Sequence, residues 1–445
     1  MRDEADSPSG SFPPARPPRW LTGWLAVGVS LAACASEPCR GLQVEEGRVA
    51  GTEAWVAPMP GGDVLRAGVG DAHTLDSDLT GPVWVARTSS DGVVAWRRSF
   101  TAGRVFAVAT SPAGFVALAG DASVAVDVEG HAIPETMGSY VVTFDAAGAI
   151  GTVSSIDGVR VVSAVVDDDG AVTVAGFDFG APGTARTLVA RMDASGGMLW
   201  TTPLGASEDS ETVSVLARGD GSWLVAFSFS GAVDLGPAGS FTSEGGLDVA
   251  VALVDARGAV TRAARFGGAA DEGRGVFDGD RILLAAPSER RWVVATSARG
   301  DLDVGGARLA VRGSADVLVL TLSEQLEIVD ARLLGGPGYD AVGGIARGAH
   351  GEIALVGISE GGASVGPFSC AGLPIVVLDP DGVELGSHCA PARFATGDSA
   401  VLHEDGVLDV GGFASPDLDL GAGPIGDPSP TALVGFVGRY RFACP

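Results

Sequence analysis

Apolar positions along this chain fall in short runs separated by glycine-bearing polar turns, with no sustained 3.6-residue period. Val161-Val162-Ser163-Ala164-Val165-Val166 is followed across Gly170 by Ala171-Val172-Thr173-Val174-Ala175-Gly176. Paired runs of this kind predict β-hairpins. The turn glycine of this first hairpin recurs at Gly62, Gly114, Gly170, Gly221, Gly351 and Gly406, and a glycine-free turn near Arg290 fills the one double-length gap. A second hairpin keeps the same rhythm. Its clearest copy runs from Asp248 to Asp255, turns at Gly258 and returns from Val260 to Phe266. Its turn glycine recurs at Gly92, Gly148, Gly196, Gly258, Gly382 and Gly438, with a degenerate member near Glu324-Gln325. Between the hairpins stands a third marker, a polar residue, an apolar one, then glycine: Asp178-Phe179-Gly180, Asp234-Leu235-Gly236, Asp303-Val304-Gly305, Ser364-Val365-Gly366 and Asp419-Leu420-Gly421.

Three markers share one period of about 57 residues, which makes a repeat array of four-stranded units. Seven such units over residues 51–445 predict an all-β fold, a seven-bladed β-propeller of four-stranded antiparallel blades. Each sheet alone exposes apolar faces, and stacking into a ring buries them. An open β-solenoid is the rival, though its coils have shorter periods. A transmembrane β-barrel is disfavoured because 6% aromatic residues is little from which to build two interfacial girdles.

The stretch from Leu188 through Asp193-Ala194-Ser195-Gly196-Gly197 to Trp200 resembles the SBBP-type β-propeller repeat of bacterial surface proteins, as does Val249 to Gly268. The resemblance covers about residues 51–445 and implies a propeller in an exported binder or scaffold. Asp193 to Trp200 and Asp91 to Trp96 are also similar, over fewer units, to the quinoprotein-type propeller repeat, in which the tryptophan docks between blades. That group includes an outer-membrane lipoprotein that aids barrel-protein assembly.

The N-terminus sets the expected compartment. Residues 20–33 are apolar and nearly uncharged, follow Arg16 and Arg19, and end in Leu31-Ala32-Ala33-Cys34. A basic flank before a short apolar run is the plan of an export signal. The four residues resemble the lipobox of bacterial lipoproteins. The resemblance implies cleavage after residue 33, diacylglycerol on Cys34, and a membrane partner reached through that anchor. Ala35, where aspartate would retain the protein at the inner membrane, favours the outer membrane. Residues 34–50 then read as the lipidated end and a tether. Of the remaining cysteines, Cys370 and Cys389 flank the hairpin that turns at Asp379-Pro380-Asp381-Gly382 and are expected to pair at its open end. Cys39 and Cys444 would then tie the ends of the domain; free buried thiols are the alternative.

Composition narrows the chemistry. The chain has no Lys and no Asn, so all 29 basic residues are Arg, which removes Schiff-base and Walker-type lysine chemistry. A net charge of −26 repels nucleic acid. Gly357-Ile358-Ser359-Glu360-Gly361 matches the G-x-S-x-G hydrolase pattern, but that chemistry needs a strand-to-helix turn. Asp167-Asp168-Asp169-Gly170 lacks the distal glutamate of a calcium loop. Equivalent Asp178, Asp234, Asp303 and Asp419 suit a structural turn role, because an active site breaks symmetry. Glu208-Asp209-Ser210-Glu211 and Asp271-Glu272 read as solvated loops. The five histidines are scattered. No catalytic residue, metal or cofactor is assigned. The expected function is a monomeric, non-catalytic envelope platform for protein or glycan; an outer-membrane assembly factor and a hydrolase or lyase with a central funnel are the alternatives. Residues 227–248 and 267–315 depart most from the period, which places binding on their rim.

Overall fold

A computed structural model describes residues 42–442 apart from 52, 70–72, 75–80, 182–183, 208–209, 275–280, 362–370, 422 and 426–431. The chain is almost entirely β, arranged as seven four-stranded antiparallel blades. Blade 1 comprises Glu53–Pro58, Val64–Val69, Gly81–Thr88 and the first half of the long strand Val94–Thr110, whose second half is the inner strand of blade 2. Blade 2 continues with Val116–Asp121, Ser139–Phe144 and Ile150–Ile156. The inner strands of blades 3 to 7 are Val159–Val166, Val213–Ala217, Leu283–Ser288, Asp340–Arg347 and Ala395–Leu402.

The apolar pattern explains the stacking. Asp248–Val254, the third strand of blade 4, is buried at every position. Its alternate residues feed different cores: Val249, Val251 and Leu253 pack toward blade 5, while Ala250 and Val254 pack toward blade 3. A strand covered on both faces reads as a continuous apolar run, which is what this segment shows. A hydrophobic cluster fills each of the seven seams between successive blades, including a small one that joins Ala54, Val56 and Val64 of blade 1 to Val401 and Val437 of blade 7. The stack closes.

Closure uses the N-terminal end of the domain. Leu42–Gly51, most of which the sequence reading placed in the tether, is the outer strand of blade 7, antiparallel to Ala432–Phe442. This corrects the reading of Gly438. It lies within Ala432–Phe442, opposite Gly47 and Val410, and turns nothing. Blade 7 has no second hairpin of its own, because a strand from the other end of the sequence supplies the fourth position.

The other turn glycines sit where expected. Gly148, Gly196, Gly258 and Gly382 have φ between 79° and 86°, a region that side chains other than glycine enter at a cost of roughly 1 kcal/mol. In each of these turns an aspartate three residues earlier accepts backbone N–H bonds two and four residues ahead, as Asp145 does from Ala147 and Ala149 at 2.9 and 2.8 Å. In the degenerate turn Leu326 takes the left-handed position at φ 63°, and Ser323 stands in for the aspartate.

Tryptophan docking between blades is present at two seams. Trp96, in the outer strand of blade 1, donates its indole N–H to Ala146 O (3.1 Å) in the turn of blade 2 and lies beneath Gly148. Trp200 of blade 3 lies likewise beneath Gly258 and meets Trp223 edge-on at 5.3 Å. At other seams Thr152 and Arg332 bind the carbonyls of Ala194 and Gly382 in the next blade's turn. A Cβ on Gly148 would fall 2.5 Å from the Trp96 ring. Gly148→Ala is therefore expected to cost about 2–3 kcal/mol, combining left-handed strain with overpacking; a urea titration with an unchanged midpoint would refute the docking contact as a source of stability.

Candidate ligand-binding channel

Inner strands of all seven blades line an axial cavity of about 660 Å³. Five of the lining residues carry charge: Arg104, Arg160, Glu211, Arg281 and Asp398. The arginines stand at or just before the starts of inner strands, so they lie at the rim that carries the links between blades. The extended segments of blades 4 and 5 connect strands at this same rim, while the glycine turns occupy the opposite one.

Bulges shape the channel wall. The ladders of the inner strands in blades 2, 3, 6 and 7 each skip a residue, between Val105 and Ala107, Val161 and Ser163, Val342 and Gly344, and Gly397 and Ser399. An inserted residue is left out of the ladder and locally reverses the side-to-side alternation. Val105 accordingly packs in the seam with blade 1 and Ala107 in the seam with blade 3. Three of the inserted residues, Phe106, Val162 and Asp398, line the cavity. Two of the residues just beyond the insertions stitch the seams: Ser163 Oγ accepts from Val215 N (3.1 Å), and Ser399 Oγ accepts from Val56 N (2.8 Å).

Both the Arg104 and Arg160 guanidinium groups lie against the Phe106 ring, at 5.2 and 4.7 Å from its centre. They are thus no more than about 10 Å apart. Partial desolvation at the channel mouth and the like charge of Arg104 lower the Arg160 pKa, and Asp121 offsets part of this. Asp398 is 5% exposed. Its Oδ1 accepts from Thr396 Oγ1 at 3.0 Å, while Oδ2 is buried with no hydrogen-bond partner among the described residues. Burial pushes its carboxyl up to about 6 against the pull of Arg281.

Sequence reasoning did not select these residues. Glu211, read as part of a solvated loop, is half-buried in the channel wall, and Glu272 from a similar loop is fully buried; Glu208 and Asp209 lie outside the described residues. One signal was available. Arg104, Arg160 and Glu211 each stand ten residues before the turn glycine of their own blade (Gly114, Gly170 and Gly221). A charged residue repeated at the mouth of successive inner strands points to the axis.

The other candidates have plain structural roles. Ser359 lies inside the strand Ile353–Glu360, opposite Asp340, with no strand-to-helix turn among the described residues. Asp167 pairs with Arg191 at 2.6 Å and its backbone closes the turn at Gly170. Asp234 and Asp419 accept from the N–H groups of Gly236 and Gly421, as structural turn residues do. Asp127, in an equivalent small hairpin of blade 2, does the same for Gly130. His403 binds Asp409 at 3.0 Å, and His388 packs against Tyr440. Among the described residues no group of three or more His, Cys, Asp and Glu is placed to hold a metal ion, and no helix is long and apolar enough to cross a membrane. Cys34, Cys39, Cys370 and Cys444 lie outside the described residues. Cys389 faces Pro374 across its hairpin.

These features define the protein as a seven-bladed β-propeller with a charged axial channel. No family model matches the chain, and no curated protein matches it. Among solved structures it is similar to the C-terminal WD40 domain of Sif2 (11% identity, 91% of this chain and 99% of that one, TM-score 0.47). It is also similar to the Dos1 propeller (13% identity, 91% and 96%, TM-score 0.43). A third similar chain is a Bacteroides caccae protein of unknown function (11% identity, 79% and 98%, TM-score 0.40).

Proposed function

We propose that this protein is an exported, lipid-anchored binding module of the outer membrane, and that its ligand, a glycan or a protein segment, enters the axial channel. The observation that carries the binding role is the convergence of Arg104, Arg160, Arg281, Glu211 and Asp398 on one cavity. Leu31-Ala32-Ala33-Cys34 carries the anchor. Export to an oxidising compartment would allow Cys389 to pair with another cysteine. Cys370 as that partner, and a bridge between Cys39 and Cys444, belong to the same proposal.

The topology gives the anchor a consequence. Leu42 pairs with Phe442, at the rim of the glycine turns. Leu42 is eight residue steps from Cys34, with seven residues between, a reach of at most about 28 Å when extended. The arginine-bearing mouth is at the rim opposite Leu42. Metabolic labelling with palmitate is expected to mark the wild-type chain in the outer-membrane fraction and to leave Cys34→Ser unlabelled and soluble; equal labelling of the two would refute the anchor.

A catalytic channel is the second reading, favoured by Asp398, a buried carboxyl in the channel wall whose pKa of about 6 suits a general acid. Turnover lost in Asp398→Asn while binding persists would establish it.

A further inference from the structure

We infer that the channel mouth recognises an acidic saccharide, a hydroxyl-rich ring bearing a single carboxylate, with the carboxylate on the arginines and the hydroxyls on Asp398, Glu211 and the neighbouring serines. This rests on the binding role proposed above and names its ligand class. Three observations lead to it.

The first is charge. The chain carries −26 in total, yet the cavity lining holds three arginines against two carboxylates. Arg160 and Arg281 make no ion pair within 4 Å among the described residues, while most other described arginines pair with Asp or Glu. Positive charge gathered in a concave, low-dielectric site focuses an anion there. The second is posture. The Phe106 ring, brought to the channel by its bulge, has two guanidinium groups against it. Cation–π contact orients a guanidinium before any ligand arrives, and a planar guanidinium matches the two oxygens of a carboxylate.

The third is what surrounds the arginines. Asp398 Oδ2 is buried, without a hydrogen-bond partner, in the channel wall. Ser214 and Glu211, the latter paired with Arg274 at 3.5 Å, line the same cavity, as do Ser210 and Thr212, whose hydroxyls donate to Ser228 O and Gly273 O and keep lone pairs to accept. Carboxylates and hydroxyls beside the arginines suit a ligand that donates hydrogen bonds from its own hydroxyls. They oppose a phosphate dianion, which would sit close to two acidic groups. A neutral sugar would leave the arginines unanswered. A cavity of about 660 Å³ falls within the range of small-ligand sites.

Isothermal titration calorimetry on the full-length chain in mild detergent tests this with three probes: a disaccharide containing glucuronic acid, the same disaccharide with glucose in that place, and inorganic phosphate. The acidic disaccharide is expected to bind saturably, at least 10-fold tighter than either other probe and more weakly at 0.5 M NaCl. Arg160 is exposed at the mouth, so Arg160→Gln should fold with an unchanged melting temperature and lose 10-fold or more in affinity for the acidic probe alone. Arg281→Gln, at the start of the inner strand of blade 5, is expected to do the same. Equal binding of the neutral disaccharide, tighter binding of phosphate, unchanged affinity in both variants, or no saturable heat would each overturn the inference. The palmitate-labelling result is independent of these outcomes, so a failed ligand class is distinguishable from a failed anchor. Cleavage of the acidic probe would uphold the ligand class and transfer the channel to the catalytic reading.

Discussion

Removing residues 42–51 is expected to lower the melting temperature of this propeller by roughly 5–10 °C and to increase its association. Leu42–Gly51 forms eight register pairs with Ala432–Phe442. Backbone hydrogen bonds are worth about 1 kcal/mol each net, and the ordering entropy of the strand offsets part of this, leaving on the order of 3–5 kcal/mol. Loss of the strand also bares the edge of Ala432–Phe442, and an unpaired edge templates association. Thermal melts and size-exclusion chromatography check both effects. A peptide spanning residues 40–51, added in trans, should restore the melting temperature. A truncated chain that melts and elutes like the intact one would mean the ring does not depend on this strand.

The second large effect is a loss of stability as pH rises, centred on Glu272. Its side chain is fully buried between blades 4 and 5. Oε2 accepts from Gly268 N at 2.8 Å, and Oε1 has no hydrogen-bond partner among the described residues. Burial, reinforced by the charges of Asp248 and Asp271, pushes its carboxyl up to about 8, against the pull of the Gly268 N–H and of Arg265. The folded protein therefore keeps a proton that the unfolded chain loses near the ordinary 4.5. Stability from this group is complete below about 4.5 and drains as pH rises to about 8, because over that window the native state binds more protons than the unfolded one. Asp340 and Asp398, each raised by burial to about 6, add to the decline at lower pH. Glu272→Gln keeps an acceptor for Gly268 and carries no charge. Urea titrations between pH 5 and pH 9 should show the wild type losing a few kcal/mol that Glu272→Gln retains, so that the variant is the more stable protein at pH 9. Parallel curves for the two proteins would refute it.

Much of the fold could be read directly from residue patterns. The unbroken burial of Asp248–Val254 appears as an apolar run, and five of the six second-hairpin glycines occupy real turns, because left-handed backbone selects glycine locally. Gly438 failed for a reason that lies outside its neighbourhood. Its spacing was correct for a turn, but the fourth strand of blade 7 comes from Leu42–Gly51, and spacing cannot say which distant segment fills an edge. Trp96 and Trp200 were legible as docking residues through resemblance, whereas Arg332 in the same role carried no such mark. Asp398 is not legible because a bulge is invisible until strand registers are known, and Glu211 because it precedes its strand in a polar link.

Alternation of apolar and polar residues reports that a face is buried, and turn glycines report where the chain reverses; both are local properties, so residue order alone determined four-stranded units, their repetition and their number. Ring closure and the axial site are non-local. Arg104 and Asp398 are almost 300 residues apart, and only the stacking of seven twisted sheets around an axis sets them on one wall. The apolar pattern specifies how much surface each blade must cover, and the geometry of the closed ring decides which partner covers it.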